Sequence, residues 1–238
     1  VAKKMVIPGP GEDEESDGQE GEQPVEAEEE EEQVGYDFLF DFHSMVSDLR
    51  DHDRVATVSM NTFSPVPDFT IETIEHGLGI VIPRRITSFY RITDGLEFSW
   101  TWLDDNDREQ PGGGAHLWGF SEVFDVWLET IWTSPEDETV DEDFLWTLRG
   151  FDRIDEDEST DMTVLCVEEE YPSYDLFVHD PSTGASKLLA LSFVDYFQKL
   201  LATRGVYGWH HLYSEDGDPE KAEDARQLIE ELFPDVQL

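Results

Sequence analysis

Cysteine is almost missing from this chain: Cys166 is the single one in 238 residues, which excludes an internal disulfide. It lies in the apolar run 162–167 with no cationic neighbour, so it reads as a buried strand thiol rather than a nucleophile. Long apolar runs are missing too. None approaches the roughly eighteen residues that a membrane helix needs, and the N-terminus has two lysines but no apolar segment of the secretory kind. A cytoplasmic location is the expectation. Positive charge is scarce, with 15 Lys and Arg against 57 Asp and Glu, a formal net charge of −42. Residues 1–35 hold thirteen acids and two lysines, so −31 falls on residues 36–238 and the acidity belongs to the folded part as well. A field of that sign repels phosphates and anionic membranes and draws basic partners at a salt-dependent rate. Nucleic acid and membrane are therefore not expected as ligands, whereas a basic protein that itself grips nucleic acid is. Colloidal solubility alone would explain the same surplus.

Recognised catalytic patterns are also lacking. His210-His211 is the most conspicuous metal-ligand pair, but adjacent side chains point in different directions and no third ligand follows at a recognised interval. Asp152, Asp155, Asp157 and Asp161 suggest calcium, yet the central Gly and closing Glu of an EF-hand are missing, so they read as a solvated acidic loop. Gly112-Gly113-Gly114 lacks the Lys-Ser/Thr of a phosphate-binding loop and reads as a flexible hairpin tip. No nucleophile elbow and no Cys–His pairing is present. Carboxylate pairs are too abundant for any one to mark an acid and base. No catalytic residue, metal or cofactor is expected.

What is present is a patterned domain behind an acidic arm. Residues 1–35, rich in Glu, Gly and Pro, offer no apolar face and are expected to be disordered. Residues 36–54 place Phe38 or Leu39, Phe42, Met45 or Val46, and Leu49 at helical spacing. Residues 55–60 suit a short strand and 96–103 alternate as a strand with Leu96, Phe98 and Trp100 on one face. A polar loop over 104–114 then leads to a returning strand at 116–120, and Ser121 suits the cap of a helix carrying Val123, Phe124, Trp127 and Ile131. Short structured pieces are expected at 144–148 and 151–154. Residues 162–168 and 174–179 read as adjacent antiparallel strands, with a turn at 180–184 and a further strand at 187–191. Ser192 starts a helix burying Phe193, Tyr196, Phe197, Leu200 and Leu201, and Asp218-Pro219 opens a last one packing Ala222, Ala225, Leu228 or Ile229, and Leu232. The expected class is α+β, a mostly antiparallel sheet covered by helices, forming a single domain over 36–238.

The densest signal lies between Glu75 and Gly95. Asp68 suits the cap of a helix bearing Ile71, Ile74 and Leu78, Gly79 ends it, and Pro83 opens a second helix that buries Ile86, Phe89 or Tyr90 and ends at Asp94-Gly95. Glu75, Leu78-Gly79, Ile82-Pro83, Phe89 and Asp94-Gly95 together resemble the signature of the SUKH superfamily, which includes the fungal Smi/Knr cell-wall regulators and many bacterial toxin-immunity proteins. The likeness extends over roughly 68–213. A long acidic N-terminus and an enlarged insertion between Leu128 and Gly150 depart from the pattern.

That resemblance implies a SUKH-like fold. It also implies a non-catalytic immunity protein that binds and occludes a cognate toxin, the acidity favouring a basic, nucleic-acid-targeting one. An intracellular regulator or scaffold of the Smi/Knr kind is the alternative, and an enzyme with an unrecognised site a remote third. The expected partner surface combines aromatic anchors with loop acids, namely Trp102, Asp104, Asp105, Asp107, Asp155, Glu156, Asp157, Tyr171 and Tyr174. Core packing is the competing role for each aromatic.

Overall fold

The computed structural model describes residues 34–35, 37–124, 142–153, 161–167, 173–236 and 238. The expected disorder of the arm falls outside these, except at its last two residues. Val34 is buried and its N–H donates to Ser88 Oγ at 3.2 Å, so the packed chain begins two residues earlier than the composition suggested.

Helix α1 (Asp37–Arg50) buries Phe38, Phe42, Met45, Val46 and Leu49, one stripe of an amphipathic helix. Strand β1 (Val55–Thr62) follows, then α2 (Asp68–Leu78) and α3 (Arg84–Tyr90). Seven strands make one antiparallel sheet in which every neighbour in space is a neighbour in sequence. The others are β2 (Leu96–Leu103), β3 (Glu109–Leu117), β4 (Leu148–Arg153), β5 (Met162–Cys166), β6 (Leu176–His179) and β7 (Ser186–Leu188). Short helices α4 (Phe120–Phe124) and α5 (Glu142–Leu145) lie between β3 and β4, and α6 (Phe193–Ala202), a 3-10 turn (Trp209–Leu212) and α7 (Pro219–Leu232) complete the chain. The α+β expectation with an antiparallel sheet is met. Phe197 of α6 stacks on Phe89 of α3 at 4.6 Å and meets Phe38 of α1 edge-on at 4.8 Å, so three helices share one aromatic layer over the sheet.

The signature residues hold the elbow between α2 and α3. Gly79 ends α2 at φ 70°, and its N–H returns to the Glu75 carbonyl at 2.9 Å. The Glu75 carboxylate then accepts the Ile82 N–H at 2.8 Å, fixing the chain as it turns, and Ile82 and Phe89 are buried. Two boundaries differ from expectation. Pro67 rather than Asp68 occupies the cap position of α2, and the Asp68 carboxylate instead pairs with Arg91 at 2.7 Å. Helix α3 ends at Tyr90, and Asp94 accepts the Phe120 N–H at 2.6 Å from beyond it.

The three glycines are not a hairpin tip. They lie inside β3, and the hairpin connection is the short turn 104–108. The reason is Trp100: its indole packs against Gly112 and Gly113 of the opposing strand, and a Cβ at Gly112 would sit 2.3 Å from Cζ3 of that ring. A backbone bare of side chains lets the largest fully buried ring of the sheet pack there. Helix α4 begins at Phe120, one residue before the expected Ser121 cap, and the expected contributions of Trp127 and Ile131 lie outside the described residues. Cys166 is a buried free thiol on β5, its sulfur 3.4 Å from Thr147 Oγ1.

Candidate functional site

Three features stand out, and the first is interior. The carboxyl of Asp152, delivered by β4, accepts the His116 N–H at 2.7 Å and the Tyr196 hydroxyl at 2.5 Å. That hydroxyl lies 2.9 Å from His210 Nε2. With Tyr196 donating to Asp152, His210 Nε2 donates to the tyrosine oxygen, and Nδ1 is a buried acceptor with no hydrogen-bond partner among the described residues. Burial pushes Asp152 up to about 7 against the opposing hydrogen bonds from Tyr196 and His116, and it holds His210 well below its ordinary value.

Beside this group, Asp161 accepts from His211 Nε2 at 2.9 Å and Lys221 Nζ at 2.6 Å, and His211 Nδ1 accepts the Asp218 N–H at 3.2 Å. Burial would raise Asp161, but those two donors and the lysine charge outweigh it and hold the carboxyl at about 2. His179 is pushed down to about 4 by burial. Asp152 and Asp161 are thus not members of a solvated loop, and the corrected reading is a polar seam inside the domain. Asp152, Tyr196 and His210 are each no more than 1% exposed, which leaves the seam the task of fastening α6, the 3-10 turn and α7 to the sheet. Among the described residues, no group of three or more His, Cys, Asp or Glu is placed to hold a metal ion.

The second feature is an open groove of about 850 Å³ between α2 and α3. Its α2 wall carries Asp68, Glu72 and Glu75 and its α3 wall Arg84 and Arg91, with the Asp68–Arg91 pair spanning it. Val81 at the elbow is 82% exposed, and Phe69 on α2 68%. Its charges are mixed, so it does not by itself select a partner of one sign.

The third is the β2–β3 hairpin with the start of β1. Trp102 is half-buried, its indole N–H donates to the Pro111 carbonyl at 3.2 Å, and the Arg54 guanidinium lies 4.9 Å from the ring centroid. Arg54 also reaches the Leu103 carbonyl and Glu231, and Trp102 packs partly buried against the core. The three turn acids differ in role. Asp104 accepts the N–H groups of Asn106 and Arg108 at 2.8 and 2.9 Å, which lowers its pKa and commits its carboxylate to shaping the turn. Asp107 takes a left-handed backbone at φ 58°, a conformation aspartate tolerates. Asp107 is exposed, and so is Asp105, its side chain 95% exposed and 3.8 Å from Arg54.

Tyr174 does not belong to this surface. It is 5% exposed, at φ 57°, and its hydroxyl donates to the Val81 carbonyl at 3.2 Å; burial pushes it up to about 12. Its ring is part of the core, the competing role for an aromatic beside a loop. Asp155, Glu156, Asp157 and Tyr171 lie outside the described residues. Of the expected partner residues, then, the structure brings together Trp102, Asp104, Asp105 and Asp107.

The buried seam escaped sequence reading because acids that contact histidine across fifty residues look the same as acids in a loop. Asp161 flanking the apolar run 162–167 was the one available hint. No helix among the described residues is long and apolar enough to cross a membrane. Compared with protein-family models and with curated proteins, the chain matches none.

Proposed function

We propose that this chain is a non-catalytic binding domain that neutralises a basic protein by covering its working surface, as SUKH immunity proteins do. The observation that carries the reading is charge: −31 of the formal −42 belongs to residues 36–238. A toxin that grips nucleic acid presents a basic cleft, and an acidic domain competes for it electrostatically with no chemistry of its own. The exposed hairpin acids and the half-buried Trp102 beside them support the reading, as an electrostatic and an aromatic half that such a surface would need.

The test is genetic and then physical. A toxin encoded beside this chain should arrest growth when expressed alone and be silenced by co-expression, and the purified pair should form a complex that weakens steeply between about 50 and about 500 mM salt. A partner bound equally at both salt levels, or arrest that co-expression leaves unchanged, refutes the reading.

A further inference from the structure

The two edges of the sheet are treated differently. Strand β7 is three residues long, contains Lys187, and is covered: Glu215 N–H donates to the Leu188 carbonyl at 2.8 Å and Ala190 N–H to Tyr213 at 2.8 Å. That is how proteins protect an edge from unwanted pairing. Strand β1 at the other edge is eight residues, Val-Ala-Thr-Val-Ser-Met-Asn-Thr, without a charge, proline or glycine, in a chain whose residues are 30% charged. Its one irregularity is a register shift between Val55 and Thr57, and from Thr57 to Thr62 it pairs with β2 without interruption. In an antiparallel ladder, alternate residues turn their N–H and C=O outward. Among the described residues no backbone bond from 57–62 goes to any strand but β2, and no residue of β1 is fully buried.

We propose that the open edge of β1 takes up an extended segment of a basic partner protein as an eighth strand. This rests on the binding reading above and gives it a geometry. A second copy of this chain is a poor occupant, because each copy brings −42. A basic segment fits on both faces. On the side toward the core, Val58 and Met60 pack partly buried and offer apolar neighbours to alternate residues of the new strand. On the solvent side, Glu97 lies opposite Asn61, and Glu109 accepts the hydroxyls of Thr57 and Thr101 at 3.1 and 2.5 Å. At the start of the strand, Asp51, Asp53 and Asp105 are exposed. Backbone pairing supplies the affinity, and the alternation of apolar and cationic side chains supplies the choice of partner.

The experiment uses the full chain and a synthetic probe, an end-capped octapeptide alternating Val and Lys, with amide hydrogen exchange resolved along the sequence. The expected result is new protection within 57–62 on adding the peptide. The same peptide N-methylated throughout keeps its charges but loses its donors, and should bind about tenfold more weakly or worse. The Val-Glu counterpart should give no protection. The proposal is overturned if the N-methylated peptide binds equally, if protection falls elsewhere and not on β1, or if the Val-Glu peptide protects as well. It is overturned as to occupant if 57–62 becomes protected with rising protein concentration and no peptide. Because the readout is an amide map and not toxin silencing, β1 can pass this test while the immunity reading fails, and the reverse.

Discussion

Gly112→Ala asks whether the triple glycine is a loop or a packed strand. The added Cβ would stand 2.3, 2.4 and 2.8 Å from Cζ3, Cε3 and Cη2 of Trp100. That ring cannot step aside cheaply. It is 1% exposed, its N–H is bound to the Arg204 carbonyl at 2.8 Å, and Phe233 meets it edge-on at 5.7 Å. Overpacking of this kind costs about 1–3 kcal/mol, and breaking the indole hydrogen bond about 1 kcal/mol more, so a loss of about 2–4 kcal/mol is expected. Urea denaturation followed by tryptophan fluorescence measures it, provided the transition slope is unchanged. Trp100→Phe removes the part of the ring that the new methyl strikes. In the Trp100→Phe, Gly112→Ala double variant the two losses should therefore add up short, by about 1 kcal/mol or more. A Gly112→Ala protein within about 0.5 kcal/mol of the parent, the usual result at an exposed loop, would refute the packing account.

Gly79→Val should cost about 1 kcal/mol or more through the backbone alone, since φ is 70° and no atom lies within 4 Å of the added Cβ; Gly79→Asn should cost much less, and equal stability of the two in urea would show that the helix does not end there. The buried carboxyl makes stability pH-dependent in a definite direction. Asp152 at about 7 when folded against 3.8 unfolded holds its proton more tightly in the native state, so its ionisation removes stability as pH rises from about 4 through 7. Asp152→Asn should accordingly gain on the parent over that range, by up to about 4 kcal/mol, and a thermal-midpoint difference that stays flat with pH would contradict the assignment. His179, pushed down to about 4, acts oppositely, and its share of stability falls as pH drops from 6.5 through 4; His179→Gln should flatten that limb of the same curve. At the hairpin, Asp105→Asn should slow association with a basic partner and leave the melting point unmoved. Asp104→Asn should lower the melting point because two turn amides lose a charged acceptor, and matching melting points for the two variants would undo the distinction. Trp102→Ala in a folded variant should act on dissociation more than on association, read by surface-binding kinetics.

Local chemistry makes much of this domain legible in the sequence. The stripe from Phe38 to Leu49, the stop at Gly79, the Ser192 and Asp218 caps and the alternation from Leu96 to Trp100 all act within a few residues. Period and capping therefore reported them correctly. Charge was legible too, because a sum over residues needs no fold. What depended on distant partners was not. Gly112 read as flexible because nothing nearby announces the Trp100 ring that crosses it, and Tyr174 stood open between partner anchor and core ring because its hydroxyl partner is 93 residues away. Asp152 and Asp161 read as solvated because their histidines arrive from the 3-10 turn at the far end of the chain. The open edge of β1 belongs to the same class. Its uncharged sequence is visible from the start, but only the strand order, with β7 covered and β1 at the other edge, leaves the outward backbone groups of 57–62 without a strand partner among the described residues. Sequence alone thus determined the elements and the field around them, since both are local or additive. Tertiary structure decided which polar groups are buried and which backbone is left open, because both depend on what the fold brings alongside.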